Sequence, residues 1–243
     1  MKAAIAVWRL TRVLLHVLHG LWIVKRHFER VTTVERHGYI QWWSAKTLRI
    51  LGIELRCSGP SLPEGHLLVA NHVSWLDIAA VHAVLPQARF VSKSDVKHWP
   101  LVGTLVEGVG TLFIERASKR DALRVVHQTA AALQAGDCVA VFPEGTTGPG
   151  PELLPFHANL LQAAISVNAP LLPVVLRWFE PGARFSVAAH FIGDTTLVQS
   201  LWTIASARGL GIELQWLPSM PTQGADRRVL SATLRDLIAA RLG

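Results

Sequence analysis

Cysteine is scarce in this 243-residue chain: Cys57 and Cys138 are the two that occur, each in an apolar stretch without CxxC or Cys/His spacing. That excludes a disulfide framework, argues against a zinc site and fits a reducing compartment. Charge is sparse as well, at 17% of residues against roughly 25% in soluble domains, while half the residues are hydrophobic. Part of so apolar a surface is expected to meet lipid. Acidic residues are outnumbered by Lys and Arg, 17 to 24, giving a net charge of +7. This asks for an anionic partner, and nucleic acid, an acidic membrane surface and a phosphorylated substrate all qualify. One tyrosine and eight phenylalanines are few platforms for bases, and without an RNP, zinc-finger or helix-turn-helix pattern nucleic acid drops out. Internal repeats and low-complexity tracts are lacking too, and the length fits one large domain with one active site.

The run from Ala3 to Val24 has no proline and no glycine before Gly20, and it reads as a helix. Arg9, Arg12, His16 and His19 recur in it at helical spacing, where a cleavable signal would need an uninterrupted apolar core. Two arginines near the middle make a simple membrane span costly. A helix lying in one leaflet, with its basic stripe toward the headgroups, fits better. A second helical stretch, Gly38 to Leu51, sets Tyr39, Trp42 and Trp43 beside Lys46 and Arg49, a combination suited to the membrane boundary. The plainer alternative is that both helices pack on the body of the protein, because exposed and buried apolar faces look alike in sequence.

Beyond Ile53 the pattern changes. β-rich runs at Ile53 to Cys57, Leu67 to Ala70, Arg89 to Ser92, Thr111 to Ile114, Cys138 to Phe142, Leu171 to Leu176 and Phe185 to Phe191 alternate with helical ones. The helical runs are Lys119 to Ala135, Ala158 to Asn168 and an amphipathic closing stretch, Asp226 to Leu242. Such alternation places residues 53–243 in the α/β class, with residues 1–52 as a membrane-associating helical segment.

Two polar runs interrupt the apolar pattern where strands should end: Asn71-His72-Val73-Ser74-Trp75-Leu76-Asp77 and Phe142-Pro143-Glu144-Gly145-Thr146-Thr147. The ends of strands are where an α/β fold places its site. On a regular helix, five residues turn the chain by about 140°, so His72 and Asp77 would diverge. They can meet if His72 lies in a loop and Ser74 caps a helix holding Asp77 in its first turn. Asp77 would then accept from His72 Nδ1 and leave Nε2 to take a proton from a hydroxyl. In the plain reading Asp77 merely caps the helix. Gly110 to Arg116 is an apolar run ending in Arg116, whose planar fork suits phosphate or a neighbouring carboxylate such as Glu115. Glu144 sits beside Gly145, Thr146 and Thr147, where it can hold a substrate hydroxyl or serve an ordinary polar loop.

In this order the segments resemble the lysophosphatidic acid acyltransferase (1-acylglycerol-3-phosphate O-acyltransferase) family of glycerolipid acyltransferases. The blocks are Asn71 to Asp77 with its H-x4-D motif, Gly110 to Arg116, Phe142 to Thr146 and Leu171-Leu172-Pro173-Val174-Val175, with Lys93 between the first two. The resemblance implies a mixed sheet flanked by helices, with N-terminal helices inserted in one leaflet on the cytoplasmic side of the inner membrane. It implies His72 and Asp77 as a catalytic dyad, and Arg116, Glu144, Gly145, Thr146 and Lys93 around the substrate. Pro173 is implied as structural or donor-related. The donor would be an acyl thioester on coenzyme A or acyl carrier protein, with no cofactor or metal. Backbone amides after Ser74 are expected to hold the oxyanion.

Two positions depart from the family pattern. Thr147 stands where arginine is common, and His157 where lysine is, so the headgroup pocket should be less cationic than usual. The expected reaction is acylation of the sn-2 hydroxyl of 1-acylglycerol 3-phosphate, with a lyso-ornithine or other aminoacyl lysolipid as alternative acceptor. A catalytically idle membrane lipid-binding protein is the alternative from another class, and retention of both His72 and Asp77 argues against it.

Overall fold

The computed structural model describes residues 2–60, 65–114 and 119–243. In chain order its strands are β1 (Glu54–Ser58), β2 (Leu67–Ala70), β3 (Arg89–Lys93), β4 (Leu112–Ile114), β5 (Val139–Val141), β6 (Leu171–Phe179) and β7 (Gly211–Trp216). They form one sheet in the order β1-β7-β6-β2-β5-β3-β4. From β6 to β4 all neighbours are parallel. β7 is antiparallel to β6 and parallel to β1, so the sheet is mixed.

The helices are α1 (Lys2–Arg26), α2 (Thr33–Leu51), α3 (Asp77–His82), α4 (Val102–Gly108), α5 (Lys119–Gln134), α6 (Leu161–Ser166), α7 (Leu197–Ser206) and α8 (Arg227–Leu242). They cover both sheet faces. Leu68 and Ala70 of β2 pack in a core shared with Ala6, Leu48, Val81 and Ile204, from α1, α2, α3 and α7. Leu67 and Val69 turn the other way, toward residues of α5, α6 and α8 such as Leu133, Leu161 and Leu234. Burial on both faces is why the inner strands read as unbroken apolar runs such as Leu-Leu-Val-Ala.

Two differences from the sequence expectation have local causes. Phe185 to Phe191 is not a strand: Ser186 Oγ accepts from the Ala188 amide at 3.1 Å, closing a short 3-10 turn at Val187–Ala189. A side chain that bonds its own backbone competes with the ladder. The missing strand is β7, whose buried Ile212, Leu214 and Trp216 alternate with half-buried Glu213 and Gln215. Alternation of this kind marks a strand.

α1 is long and apolar enough to cross a membrane, but the basic stripe expected on it divides: Arg12 and His19 are exposed, while Arg9 and His16 turn away from solvent. Arg9 donates to the carbonyls of Ala205 and Ala207 at 3.0 and 2.8 Å, at the C-terminal end of α7, where a cation complements the helix dipole. His16 is buried, stacked on Trp43 with ring centroids 5.0 Å apart. Gly20 makes this approach possible, since a Cβ there would collide with the Trp43 indole. Arg9 and His16 therefore face the body, not the headgroups, because these carbonyls and the indole lie on that side. The opposite face exposes Val7, Trp8, Leu14, Leu15, Leu18 and Trp22.

Candidate active site

Because β6, β2, β5 and β3 are adjacent and parallel, their carboxyl ends open on one edge of the sheet. Asn71-His72 leaves β2, Phe142 to Thr147 leaves β5, and Lys93 ends β3. The first of these runs is anchored by Asn71, which imitates a ladder partner. Its amide donates to the Leu176 carbonyl at 2.9 Å and its side-chain oxygen accepts from the Leu176 amide at 2.8 Å.

His72 lies in the loop before α3, and this loop wraps around Asp77, the first residue of the helix. Asp77 Oδ2 accepts from His72 Nδ1 at 2.9 Å and from the amides of Val73 and Ser74 at 2.7 and 2.9 Å. The expected cap is thus inverted. Ser74 does not cap α3, whose N-cap is Leu76 without a side-chain bond; the Asp77 carboxylate instead gathers the backbone of the preceding turn. One consequence concerns the oxyanion. The amides of Val73, Ser74, Leu76 and Asp77 all have partners inside the turn, so these four are not open donors for it.

The loop after β5 holds His72 from the other side. Glu144 is 4% exposed, and its carboxylate accepts the His72 amide at 2.7 Å and the Leu154 amide at 2.9 Å. Burial pushes the Glu144 carboxyl upward, and the two amide bonds oppose that shift. The Gly148 amide donates to the His72 carbonyl at 2.7 Å, and Phe142 stacks on the imidazole at 3.9 Å between centroids. Glu144 therefore sits behind His72 with both carboxylate oxygens occupied, rather than facing an acceptor. Gly145 has φ of +71°, a left-handed conformation that glycine adopts without strain, and this turn brings Thr146 and Thr147 to the cavity in front of His72.

That cavity has a volume of about 410 Å³ and is bounded by His72, Lys93, Gly145, Thr146 and Thr147 at the sheet edge, and by Val17, Tyr39, Val102 and Leu105 from α1, α2 and α4. Most of its wall is apolar. His72 Nδ1 is committed to Asp77, and no group among the described residues bonds Nε2. Arg116 lies outside the described residues. His157 is exposed, its amide donating to the Pro143 carbonyl at 2.8 Å.

Residues 54–177, just over half of the chain, match the family model described as "Acyltransferase". The chain belongs to the acyltransferase family. It is 35% identical over 207 residues to a lyso-ornithine lipid O-acyltransferase of Pseudomonas aeruginosa, covering 85% of this chain and 79% of that protein. It is 36% identical over 191 residues to a 1-acyl-sn-glycerol-3-phosphate acyltransferase of Neisseria gonorrhoeae, covering 78% and 74%. The fold matches the crystal structure of the 1-acyl-sn-glycerophosphate acyltransferase PlsC from Thermotoga maritima, with TM-score 0.66 over 96% of both chains at 19% identity. This protein is accordingly an O-acyltransferase.

Three contacts of this acyltransferase escaped the sequence reading. Phe142 belongs to a recognised block, but nothing in the block shows that its ring packs on the imidazole. Asn71 looks like a loop residue and is a strand clasp. Trp178 donates from Nε1 to Asp77 Oδ1 at 2.7 Å, yet in sequence it is one aromatic among the apolar residues of β6. Proximity across a sheet leaves no local mark, so none of the three had a signal beyond its residue type.

Proposed function

We propose that this acyltransferase moves a fatty acyl group from a thioester to the free sn-2 hydroxyl of 1-acylglycerol 3-phosphate, forming phosphatidic acid. The observation that carries the reading is a histidine held by a buried carboxylate at Nδ1, with Nε2 left open at the wall of a largely apolar cavity. In this mechanism His72 Nε2 takes the proton of the acceptor hydroxyl, and the oxygen attacks the thioester carbonyl. The tetrahedral intermediate collapses by breaking the C–S bond. The departing thiolate receives the proton from the imidazolium, so an ester and a free thiol result. Asp77 holds the tautomer and stabilises the imidazolium. No enzyme hydroxyl is acylated, and the cavity accommodates acyl chain.

The donor is a thioester of coenzyme A or acyl carrier protein. Arg116, Lys93 and the Gly145-Thr146 turn serve the acceptor phosphate. The protein sits on the cytoplasmic face of the inner membrane as a monotopic protein, with the exposed apolar face of α1 in the leaflet. The large side chains on that face support this reading, since a face carrying Trp8, Leu15 and Trp22 in water lacks a partner.

A second acceptor, lyso-ornithine lipid, is favoured by one feature of the site. Thr147 supplies no cation at the position where arginine is common, and its hydroxyl donates to the Phe191 carbonyl. The relative from Pseudomonas aeruginosa carries that activity in its name. Competition between the two lysolipids at equal concentration, with a labelled thioester, decides between them: phosphatidic acid as main product supports the first reading. His72→Ala should abolish transfer in a folded protein. Wild-type rates from that variant, or an acyl group trapped on a serine or cysteine, would overturn the dyad mechanism.

A further inference from the structure

Asp77 is 0% exposed, and its two carboxylate oxygens are served unequally. Oδ2 accepts three bonds, from His72 Nδ1 and the amides of Val73 and Ser74. Oδ1 has one donor among the described residues, the indole N–H of Trp178 at 2.7 Å. A buried carboxylate oxygen stripped of its donor is strongly disfavoured, and the carboxylate answers by turning or by taking up a proton. Either response alters what Oδ2 presents to the imidazole.

The placement of Trp178 comes from the sheet. β6 lies beside β2 in parallel register, Ala70 opposite Val174, and runs on past the end of β2. The Asn71 clasp on Leu176 fixes the overhanging strand just where His72 begins. Two residues further, on the same face as Leu176, the Trp178 side chain passes beneath the start of α3 and is 2% exposed. A phenylalanine would fill much of this space. Only a donor answers Oδ1.

We infer that Trp178 is a positioning residue for the transfer reaction, holding Asp77 ionised and oriented so that His72 stays aligned as base. This rests on the dyad reading above. Among the described residues, the other ionisable groups facing the pair or its cavity include Glu144, bonded to the His72 amide from the loop after β5, and Lys93 on the cavity wall. Loss of the indole donor concentrates charge on the carboxylate, so the His72–Asp77 pair keeps its proton to higher pH.

The test replaces Trp178 alone by 3-benzothienylalanine in the full-length enzyme, with sulfur in place of the N–H and the ring size kept, alongside Trp178→Phe and His72→Ala. The isostere should lower kcat about 10- to 100-fold, as loss of outer partners of reactive groups does. KM values for donor and acceptor should stay within roughly twofold. The acid limb of the kcat/KM profile should move to higher pH, a change that lost packing does not produce. An isostere with wild-type kcat and an unmoved acid limb overturns the inference, provided His72→Ala is inactive. An active His72→Ala overturns the dyad reading itself. Should Trp178→Phe fail to fold, the isostere still decides.

Discussion

Glu144 Oε1 accepts the backbone amide of His72 at 2.7 Å, while Oε2 takes the amide of Leu154 at 2.9 Å. One buried side chain thus ties the loop after β2 to the loop after β5. Its position behind the base predicts a kinetic signature different from that of a headgroup ligand. Glu144→Ala should lower kcat by an amount corresponding to about 1.5 to 3 kcal/mol, the worth of a hydrogen bond to a charged group, with acceptor KM nearly unchanged. Glu144→Gln, which keeps one acceptor oxygen, should fall between. Steady-state rates against acceptor concentration check this; a change confined to acceptor KM would return Glu144 to the headgroup.

The exposed face of α1 predicts membrane binding by insertion. Trp8→Ser, Leu15→Ser and Leu18→Ser combined should reduce sedimentation with anionic vesicles by more than about tenfold, since each buried large side chain is worth roughly 1.5 to 3 kcal/mol. High salt alone should not release the parent protein, because apolar insertion is not screened. A triple variant that sediments like the parent would remove α1 from the leaflet.

His82 predicts an acid-labile step in stability. Burial pushes its imidazole down to about 4, while in the unfolded chain it titrates near 6.5. Between these values the unfolded chain binds more protons, so stability is fully present above pH ~6.5 and declines as pH falls toward 4. The loss from this group is at most on the order of 3 kcal/mol. Thermal melts from pH 4 to 7 should show a shallower decline for His82→Gln, which can still donate to the Ala88 carbonyl that His82 Nε2 meets at 2.9 Å. Parallel curves for the two proteins would refute the assignment.

Thr147 predicts acceptor choice. With lysophosphatidic acid as the acceptor, Thr147→Arg should raise kcat/KM modestly, adding a cation to a pocket already bounded by Lys93. With equal amounts of the two lysolipids, product analysis gives the ratio directly. If the aminoacyl product dominates in the parent enzyme and Thr147→Arg suppresses it, lyso-ornithine lipid is the acceptor and the residues after Gly145 set specificity.

Much of this molecule is written in local pattern. Apolar runs bounded by polar turns marked six of the strands, and the 3.6-residue period marked α1, α2, α5 and α8, because burial on one or two faces leaves a periodic trace. His72 and Asp77 were legible as candidates through their place at the end of a strand and the chemistry of imidazole and carboxylate. What they touch was not. The tertiary structure decided that Arg9 and His16 turn inward, since the α7 carbonyls and the Trp43 indole that receive them are distant in sequence. It also decided that Glu144 grips the His72 backbone and that Trp178 reaches Asp77 across 101 residues of chain. Hydrogen bonds between strand ends depend on sheet order and on how far one strand outruns its neighbour, and neither quantity has a period that a single sequence can display.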